Sequence, residues 1–85
     1  MTVVLDGCMM QDRNSAHDHI KTQLDFPDYY GRNLDALYDL LTERGEPLTI
    51  LVQNHTKIYT GAVLNTLYDA SAHNSALNII VERNL

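Results

Sequence analysis

Two short, almost uninterrupted apolar runs constrain the fold of this chain more than any other feature of its sequence. LTILVQ, Leu48 to Gln53, and LNIIVE, Leu77 to Glu82, have the length of β-strands. Because they lack the polar–apolar alternation of a half-exposed strand, they are typical of strands covered on both faces in a parallel sheet. The β-branched run TVVLD, Thr2 to Asp6, precedes a turn at Gly7 and predicts a third strand.

Three amphipathic segments with helical periodicity lie between these strands. The first helix is predicted for about Ser15 to Leu24, with Asn14 or Ser15 as its N-cap, and it should end before Pro27. Residues 54–59 fit either a loop or one extra helical turn.

The second helix is predicted for Leu34 to Glu43 behind an Asn33 cap, and the third for Gly61 to Ala72 behind Thr60. The resulting β-α-α-β-α-β order is typical of an α/β fold with right-handed crossovers. We therefore predict one domain over residues 1–85, a three-stranded parallel sheet with helices packed over it.

The net charge of −5 is concentrated in one segment of the chain. Between Asp25 and Glu46 there are six acidic and two basic residues, whereas the rest of the chain holds five acidic and four basic residues. An acidic field of this kind repels nucleic acid and attracts a cationic surface. The same charge is also compatible with a solvated face that only aids solubility.

The composition excludes several other classes of protein. One cysteine, Cys8, rules out an intrachain disulfide and a metal site built on paired cysteines. The first residues lack the apolar region of a signal peptide, and no apolar run has membrane-spanning length. We therefore expect a soluble, cytoplasmic protein that binds neither nucleic acid nor membrane and is a monomer when free.

The second predicted helix has one acidic and one apolar side. At 100° per residue, Asp35, Asp39 and Thr42 share one side, Tyr38 flanks them, and the leucines face the other way. Asp35 lies in the first turn, where the helix dipole favours a negative charge. Asp39 lies one turn further in, so it gains less from the dipole and is repelled by Asp35.

Two adjacent tyrosines precede this helix. Tyr29 and Tyr30 are followed by Gly31, and two neighbouring aromatic side chains cannot both point inward easily. An exposed acidic helix face with a tyrosine beside it is typical of a protein-binding patch. The partner of such a patch would be cationic.

The run FPDYYGRNLDALYDLL, residues 26–41, closely resembles the signature of the barstar family. The resemblance extends back through His17 to Gly7 and, more weakly, forward through residues 63–72 and 78–81. Barstars are intracellular inhibitors of a secreted ribonuclease, and they present carboxylates where RNA phosphates would bind its cationic active site. The resemblance therefore implies a barstar-like α/β fold and an inhibitor of a barnase-type ribonuclease.

The resemblance also implies which residues contact the partner. By position, Asp39 matches the central carboxylate of the family, Asp35 its neighbour, and Tyr29 the principal aromatic contact. The remaining matches to contact positions are Asn33, Leu34, Thr42 and, in the third helix, Asp69.

The chain departs from the family pattern at three further positions that we also count among the partner contacts. Tyr38 replaces a tryptophan, and Glu43-Arg44 replaces a glycine-tryptophan pair of the best-known member. Arg44 is a cation that we expect to face a basic ribonuclease, so both residues should influence the choice of partner. The alternative is an immunity protein of the same fold that neutralises a different toxin. The Glu46–Pro47 bond matches a family proline and is compatible with a cis peptide.

If this chain were an enzyme, its catalytic groups would have to come from its histidines and acidic residues. His17 and His19 are two residues apart on a helix and cannot share a metal ion, while His55 and His73 are isolated in the sequence. We expect His17 to be a buried core residue. A metal hydrolase built on the helix carboxylates and a histidine is the alternative. No phosphate-binding, dinucleotide or nucleophile motif is present, so we predict no catalytic residue, cofactor or metal.

Overall fold

A computed structural model describes residues 1–83, which form a three-stranded parallel sheet and three α-helices. The predicted order of elements and the parallel sheet are confirmed, whereas residues 84 and 85 of the predicted domain lie outside the described residues. The elements are β1 (Thr2–Asp6), α1 (Arg13–Gln23), α2 (Leu34–Thr42), β2 (Leu48–Gln53), α3 (Ala62–His73) and β3 (Leu77–Val81), with 3₁₀ helices at Gly7–Met9 and His55–Lys57.

The strand order determines where the helices lie. The sheet has the order β1-β2-β3 with both pairs parallel, so the chain proceeds in one direction across it. Right-handed crossovers that proceed in one direction place all the helices on the same face. The core fills the space between that face and the helices, with Leu5 and Ile50 from the sheet and Ile20, Leu41 and Leu67 from the three helices, all fully buried.

The expectation that β2 and β3 are covered on both faces is wrong. In β2 the residues alternate between buried and half-buried, and in β3 Ile80 is 46% exposed. The reason is that all three helices pack on the same face of the sheet, so no helix covers the opposite face. Val4, Leu51 and Ile80 occupy paired register positions across this uncovered face.

The start of α1 differs from the prediction because another residue caps it. Asp12, rather than Asn14 or Ser15, is the N-cap, and its carboxylate accepts hydrogen bonds from Ser15 N (2.8 Å) and Ser15 Oγ (3.0 Å). These bonds keep the pKa of Asp12 below its usual range. The helix therefore begins at Arg13, two residues earlier than predicted.

The cap of α2 is confirmed. Asn33 Oδ1 accepts a hydrogen bond from Ala36 N at 2.8 Å. At α3 the N-cap is Gly61, while the hydroxyl of Thr60 accepts from Ala62 N at 3.3 Å.

The structure decides two questions that the sequence left open, the conformation of residues 54–59 and that of the Glu46–Pro47 peptide bond. Residues 54–59 contain a single 3₁₀ turn, His55–Lys57. Every peptide bond in the described residues is trans, including Glu46–Pro47. No helix within residues 1–83 is long and apolar enough to span a membrane.

Directly after β1, the backbone at Gly7 passes so close to the backbone of Asn54 that only a glycine fits. A Cβ atom added to Gly7 would overlap the carbonyl oxygen of Asn54 and lie 2.8 Å from its carbonyl carbon. This close approach is fastened by Asp6, whose Oδ1 accepts hydrogen bonds from Cys8 N and Asn54 Nδ2, both at 2.9 Å. These bonds lower the pKa of Asp6.

We predict that Gly7→Ala lowers the free energy of unfolding by about 3 kcal/mol, because the methyl group forces two backbone segments apart. Gly45→Ala is the matched control, since nothing lies within 4 Å of a Cβ at that position. We expect the control to change stability by no more than about 0.5 kcal/mol. Urea unfolding of both variants measures the difference, and equal effects would contradict the crowding at Gly7.

Candidate functional site

The loop of residues 25–33, which we call the tyrosine loop, is anchored to the core through Tyr30. This side chain is 4% exposed, its ring lies 5.0 Å from that of Phe26, and its Oη is 2.7 Å from His17 Nδ1. Burial raises the pKa of Tyr30 to about 12, so the phenol keeps its proton. His17 is buried as predicted, and burial, followed by Arg13 and Arg32, lowers its pKa. The hydroxyl of Tyr30 is therefore hydrogen-bonded to a neutral imidazole.

Polar contacts tie the same loop to α1. Arg32 pairs with the carboxylate of Asp18, and the Arg32 carbonyl accepts from Arg13 Nη2 at 3.2 Å. Lys21 Nζ lies 3.2 Å from Asp28. The loop is thus held in place before any partner binds, and the charge of Arg32 is directed to α1 instead of α2.

The two adjacent tyrosines have opposite environments, as predicted. Tyr29 is 78% exposed, whereas Tyr30 is buried. Between the loop and α2 lies a cleft of about 230 Å³, which we call the tyrosine cleft. A Cβ on Gly31 would lie 3.2 Å from Ala36 Cβ, so the glycine allows the loop to approach the helix. The cleft is lined by Tyr29, Tyr30, Gly31, Ala36, Asp39, Leu40 and Glu43.

Three carboxylates follow one another along the exposed side of α2 at four-residue spacing. Asp35, Asp39 and Glu43, which we call the carboxylate row, are all exposed. None of their carboxylate groups forms a hydrogen bond or an ion pair with another of residues 1–83. Neighbouring like charges at this spacing cost a few tenths of a kcal/mol per pair. Sequence reasoning counted Glu43 among the partner contacts, as a departure from the family pattern, but did not predict that it lines the cleft with Asp39.

The helix α3 contributes to the same surface through a ring contact. Tyr38 is half-buried, and its ring meets that of His73 edge-on with centroids 6.1 Å apart. Asp69 is exposed one turn before His73, and its carbonyl oxygen lies 3.0 Å from His73 Nδ1. Sequence reasoning left His73 isolated, because the contact joins residues of two different helices and has no local signal.

Three other predicted contact residues have structural roles. Asn33 uses its amide for the α2 cap and for a bond from Nδ2 to Gly31 O at 3.2 Å. Thr42 donates its hydroxyl proton to the carbonyl of Tyr38 at 2.9 Å. Leu34 is half-buried and packs against the core.

Arg44, which we expect to face the partner, is only partly exposed. Its side chain is half-buried, and its Nε is buried without a hydrogen-bond partner among the described residues. Arg44 does not line the tyrosine cleft. Its guanidinium charge is therefore only partly available to an approaching surface.

A wider groove of about 560 Å³ runs along α1 and the Gly7–Met9 turn. Its charged residues are already engaged: Asp12 caps α1, Asp18 pairs with Arg32, and His19 Nε2 accepts from Asp6 N at 3.0 Å. No group of three His, Cys, Asp or Glu side chains within residues 1–83 is arranged to hold a metal ion. The tyrosine cleft and the carboxylate row are therefore the stronger candidate site.

The chain is similar to one known protein family and to a named relative. A family model described as barstar (barnase inhibitor) matches residues 1–73. The Bacillus subtilis (strain 168) protein YrdF, which is named as a candidate ribonuclease inhibitor, is 49% identical over 53 residues. The aligned part makes up 61% of this chain and spans 58% of the length of that relative.

We predict that Tyr30→Phe lowers the free energy of unfolding by about 1–3 kcal/mol. It would leave both ring nitrogens of buried His17 without a hydrogen-bond partner among the described residues. Tyr29→Phe removes the same atom from an exposed ring and should change stability by less than about 0.5 kcal/mol. Urea unfolding at pH 7.5 compares the two variants. Equal losses would contradict the anchoring role of Tyr30.

We also predict that stability falls as the pH is lowered below about 6.5, the ordinary pKa of histidine. Burial lowers the pKa of both His17 and His19 in the folded protein, so the unfolded chain binds protons first. The stabilisation is therefore complete above pH 6.5 and is lost as the pH falls through the folded-state pKa values.

The measurement is urea unfolding at pH 7.5 and 5.5 for the parent, His17→Gln and His19→Gln. We expect each variant to lose less stability than the parent between the two pH values. An unchanged pH dependence in both variants would contradict the assignment.

Proposed function

Because this chain belongs to the barstar family, we propose that it is an intracellular inhibitor of a barnase-type ribonuclease. The carboxylate row and the tyrosine cleft would enter the cationic site in which such an enzyme binds RNA phosphates. The observation that carries this proposal is a row of three exposed carboxylates without partners among residues 1–83, next to an exposed aromatic ring. The chain would act as a protein ligand and not as an enzyme.

The electrostatics of the free protein favour a cationic partner. Asp39 lies between Asp35 and Glu43, each one helical turn away, so a cation beside Asp39 relieves repulsion on both sides. Burying these carboxylates in an interface stabilises the complex only if each one is paired and hydrogen-bonded there. Arginine and lysine side chains of a phosphate-binding site can provide such partners.

The tyrosine loop reduces the cost of binding. Its contacts with α1 and the core hold Tyr29 in an exposed position before the partner arrives. Ordering a flexible loop would otherwise subtract from the binding free energy. We propose Tyr29 and Asp39 as the central contacts, with a perimeter formed by Asn33, Leu34, Asp35, Tyr38, Thr42, Glu43, Arg44 and Asp69.

A second candidate function is an immunity protein of the same fold that neutralises a different nuclease toxin. Glu43 in the tyrosine cleft favours it, because the family's best-known member has glycine there. The same acidic surface would serve against another cationic active site. In both cases we propose a cytoplasmic monomer that needs no cofactor.

We predict that Asp39→Ala weakens inhibition of a barnase-type ribonuclease by at least about 30-fold, since removing one partner of a buried charge pair costs about 2 kcal/mol or more. Glu46→Ala removes the same charge from an exposed residue that does not line the cleft and should weaken inhibition by no more than about threefold. The assay titrates the enzyme, ideally that of the same organism, with the parent and both variants.

Asp39→Ala should also unfold like the parent in urea, because the side chain is exposed. Equal inhibition by the two variants would contradict the role of the carboxylate row. No inhibition even by the parent would contradict the ribonuclease proposal and favour the second candidate.

A further inference from the structure

We propose that the outer edge of β3 pairs with the same edge of a second copy of the chain and joins two three-stranded sheets into one. This surface lies away from the carboxylate row, so the inference does not depend on the proposed function. It starts from a difference between the two edge strands of the sheet. Side chains of the chain itself occupy the edge of β1, whereas the edge of β3 is open.

The β1 edge is closed by two side chains of α1. A hydrogen bond from β2 to Met1 O shows that the odd-numbered residues of β1 bond to β2, so the even-numbered ones direct their backbone groups outward. Of these outward groups, Val4 O accepts from Gln23 Nε2 at 3.0 Å. Asp6 N donates to His19 Nε2, also at 3.0 Å. Another strand cannot pair here without displacing both side chains.

The corresponding backbone groups of β3 are not covered. Glu82 N donates to Val52 O at 2.8 Å, so the even-numbered residues of β3 bond to β2 and the odd-numbered ones are directed away from it. Within residues 1–83, no group bonds to the outward N–H and C=O groups of Ile79 and Val81. A row of unpaired strand groups is a template for pairing with another strand.

The side chains along β3 also favour association. Leu77–Val81 contains no charged residue, although charges are a common protection of exposed edge strands. Ile80 is 46% exposed on the uncovered face, and Ile79 and Val81 are half-buried on the helix side. The β3 edge is therefore apolar on both faces of the sheet.

The helix α3 adds a second apolar row beside this edge. The helices lie in the order α1, α2, α3 across the sheet, because the tyrosine loop joins α1 to α2, while α3 packs against α2 and β3. His73 meets Tyr38 on the α2 side of α3. At 100° per residue, Leu64 and Tyr68 lie on the opposite flank, where β3 has no neighbouring strand. Tyr68 is 48% exposed there.

A second copy of the chain matches this strand edge on both faces. If two β3 strands pair antiparallel about Ile80, each Ile79 exchanges two backbone hydrogen bonds with Val81 of the other copy. On the uncovered face the two Ile80 side chains then meet, and Asn78 lies opposite Glu82 of the other copy. An amide can donate to a carboxylate, so no like charges oppose each other along the paired strands.

The helices match in the same arrangement. The twofold axis of an antiparallel β3 pair is perpendicular to the sheet, so the flanks of α3 that carry Leu64 and Tyr68 also face each other. A short extended segment of another protein would pair with the strand but leave this flank uncovered. Because the β1 edge is blocked, the assembly closes at two copies and does not continue into a fibre.

The dimer leaves the candidate binding surface accessible. In the helix layer α3 lies between the β3 edge and α2, so the carboxylate row stays exposed in both copies. The monomer of the proposed function is then the dilute form of a monomer–dimer equilibrium, and each copy of the dimer keeps its own binding surface.

The test is sedimentation velocity of the intact protein at increasing concentrations up to about 1 mM, where an association of only about 4 kcal/mol is still detected. We expect a monomer–dimer equilibrium that tightens as NaCl is added, because each copy has a net charge of −5 and salt screens their repulsion. Amide hydrogen exchange at Ile79 and Val81 should slow as the concentration rises, whereas exchange at Thr2 should not change.

Two pairs of variants locate the interface. Ile80→Lys should weaken dimerisation at least about tenfold, because it places two like charges opposite each other at the axis. Thr2→Lys adds the same charge to the uncovered face at β1 and should stay within about twofold of the parent. Tyr68→Ser should weaken dimerisation at least about threefold, while Tyr29→Ser, which alters the tyrosine cleft, should not.

Three results would overturn the inference. The first is a monomer at every concentration, which would leave the β3 edge to a strand of another protein. The second is equal dimerisation of Ile80→Lys and Thr2→Lys. The third is a dimer that Tyr29→Ser disrupts while Ile79 and Val81 gain no protection, since this would place the interface at the tyrosine cleft. The exchange measurement uses the unsubstituted protein, so it stands even if a variant fails to fold.

Discussion

The hydrogen bond between the Tyr30 phenol and the His17 imidazole joins the candidate binding surface to the hydrophobic core. Because Tyr30 is turned inward by this bond, the neighbouring Tyr29 is directed to solvent and Gly31 is brought against α2. The tyrosine cleft exists only while the loop is held in this position. A buried polar contact, which contributes little net stability by itself, therefore fixes the geometry of an exposed surface.

The electrostatic properties of the surface depend on where the nearby arginines are directed. Arg32 lies in the acidic segment, but it pairs with α1, and Arg44 is half-buried beyond the end of α2. If either guanidinium group lay on the exposed side of α2, it would neutralise part of the carboxylate row. The chain thus keeps a repulsive arrangement that reduces the stability of the free protein, which is consistent with the binding role proposed for this surface.

The sequence predicts the parts of this structure that local patterns control. Helical periodicity identified α2, and the preference of asparagine for N-caps located its start at Asn33. Sheet coverage could not be read from the apolar run of β2, because it depends on how many helices the whole chain places on each face. The lining of the cleft by Glu43 and the contact of Tyr38 with His73 also escaped prediction, since both depend on the packing of separate segments. The family resemblance supplied the candidate residues, but not their burial or their internal partners.

The one-sided sheet separates two sets of residues that can change independently over evolution. The core and the candidate site share the helix-covered side, where a substitution in one alters the other through Tyr30. Val4, Leu51 and Ile80 lie on the uncovered face of the sheet, opposite the helices that carry the carboxylate row. We therefore expect substitutions on this face to leave the candidate site unchanged. The uncovered face is also a suitable place to attach a label, or to immobilise the protein, without covering the candidate site.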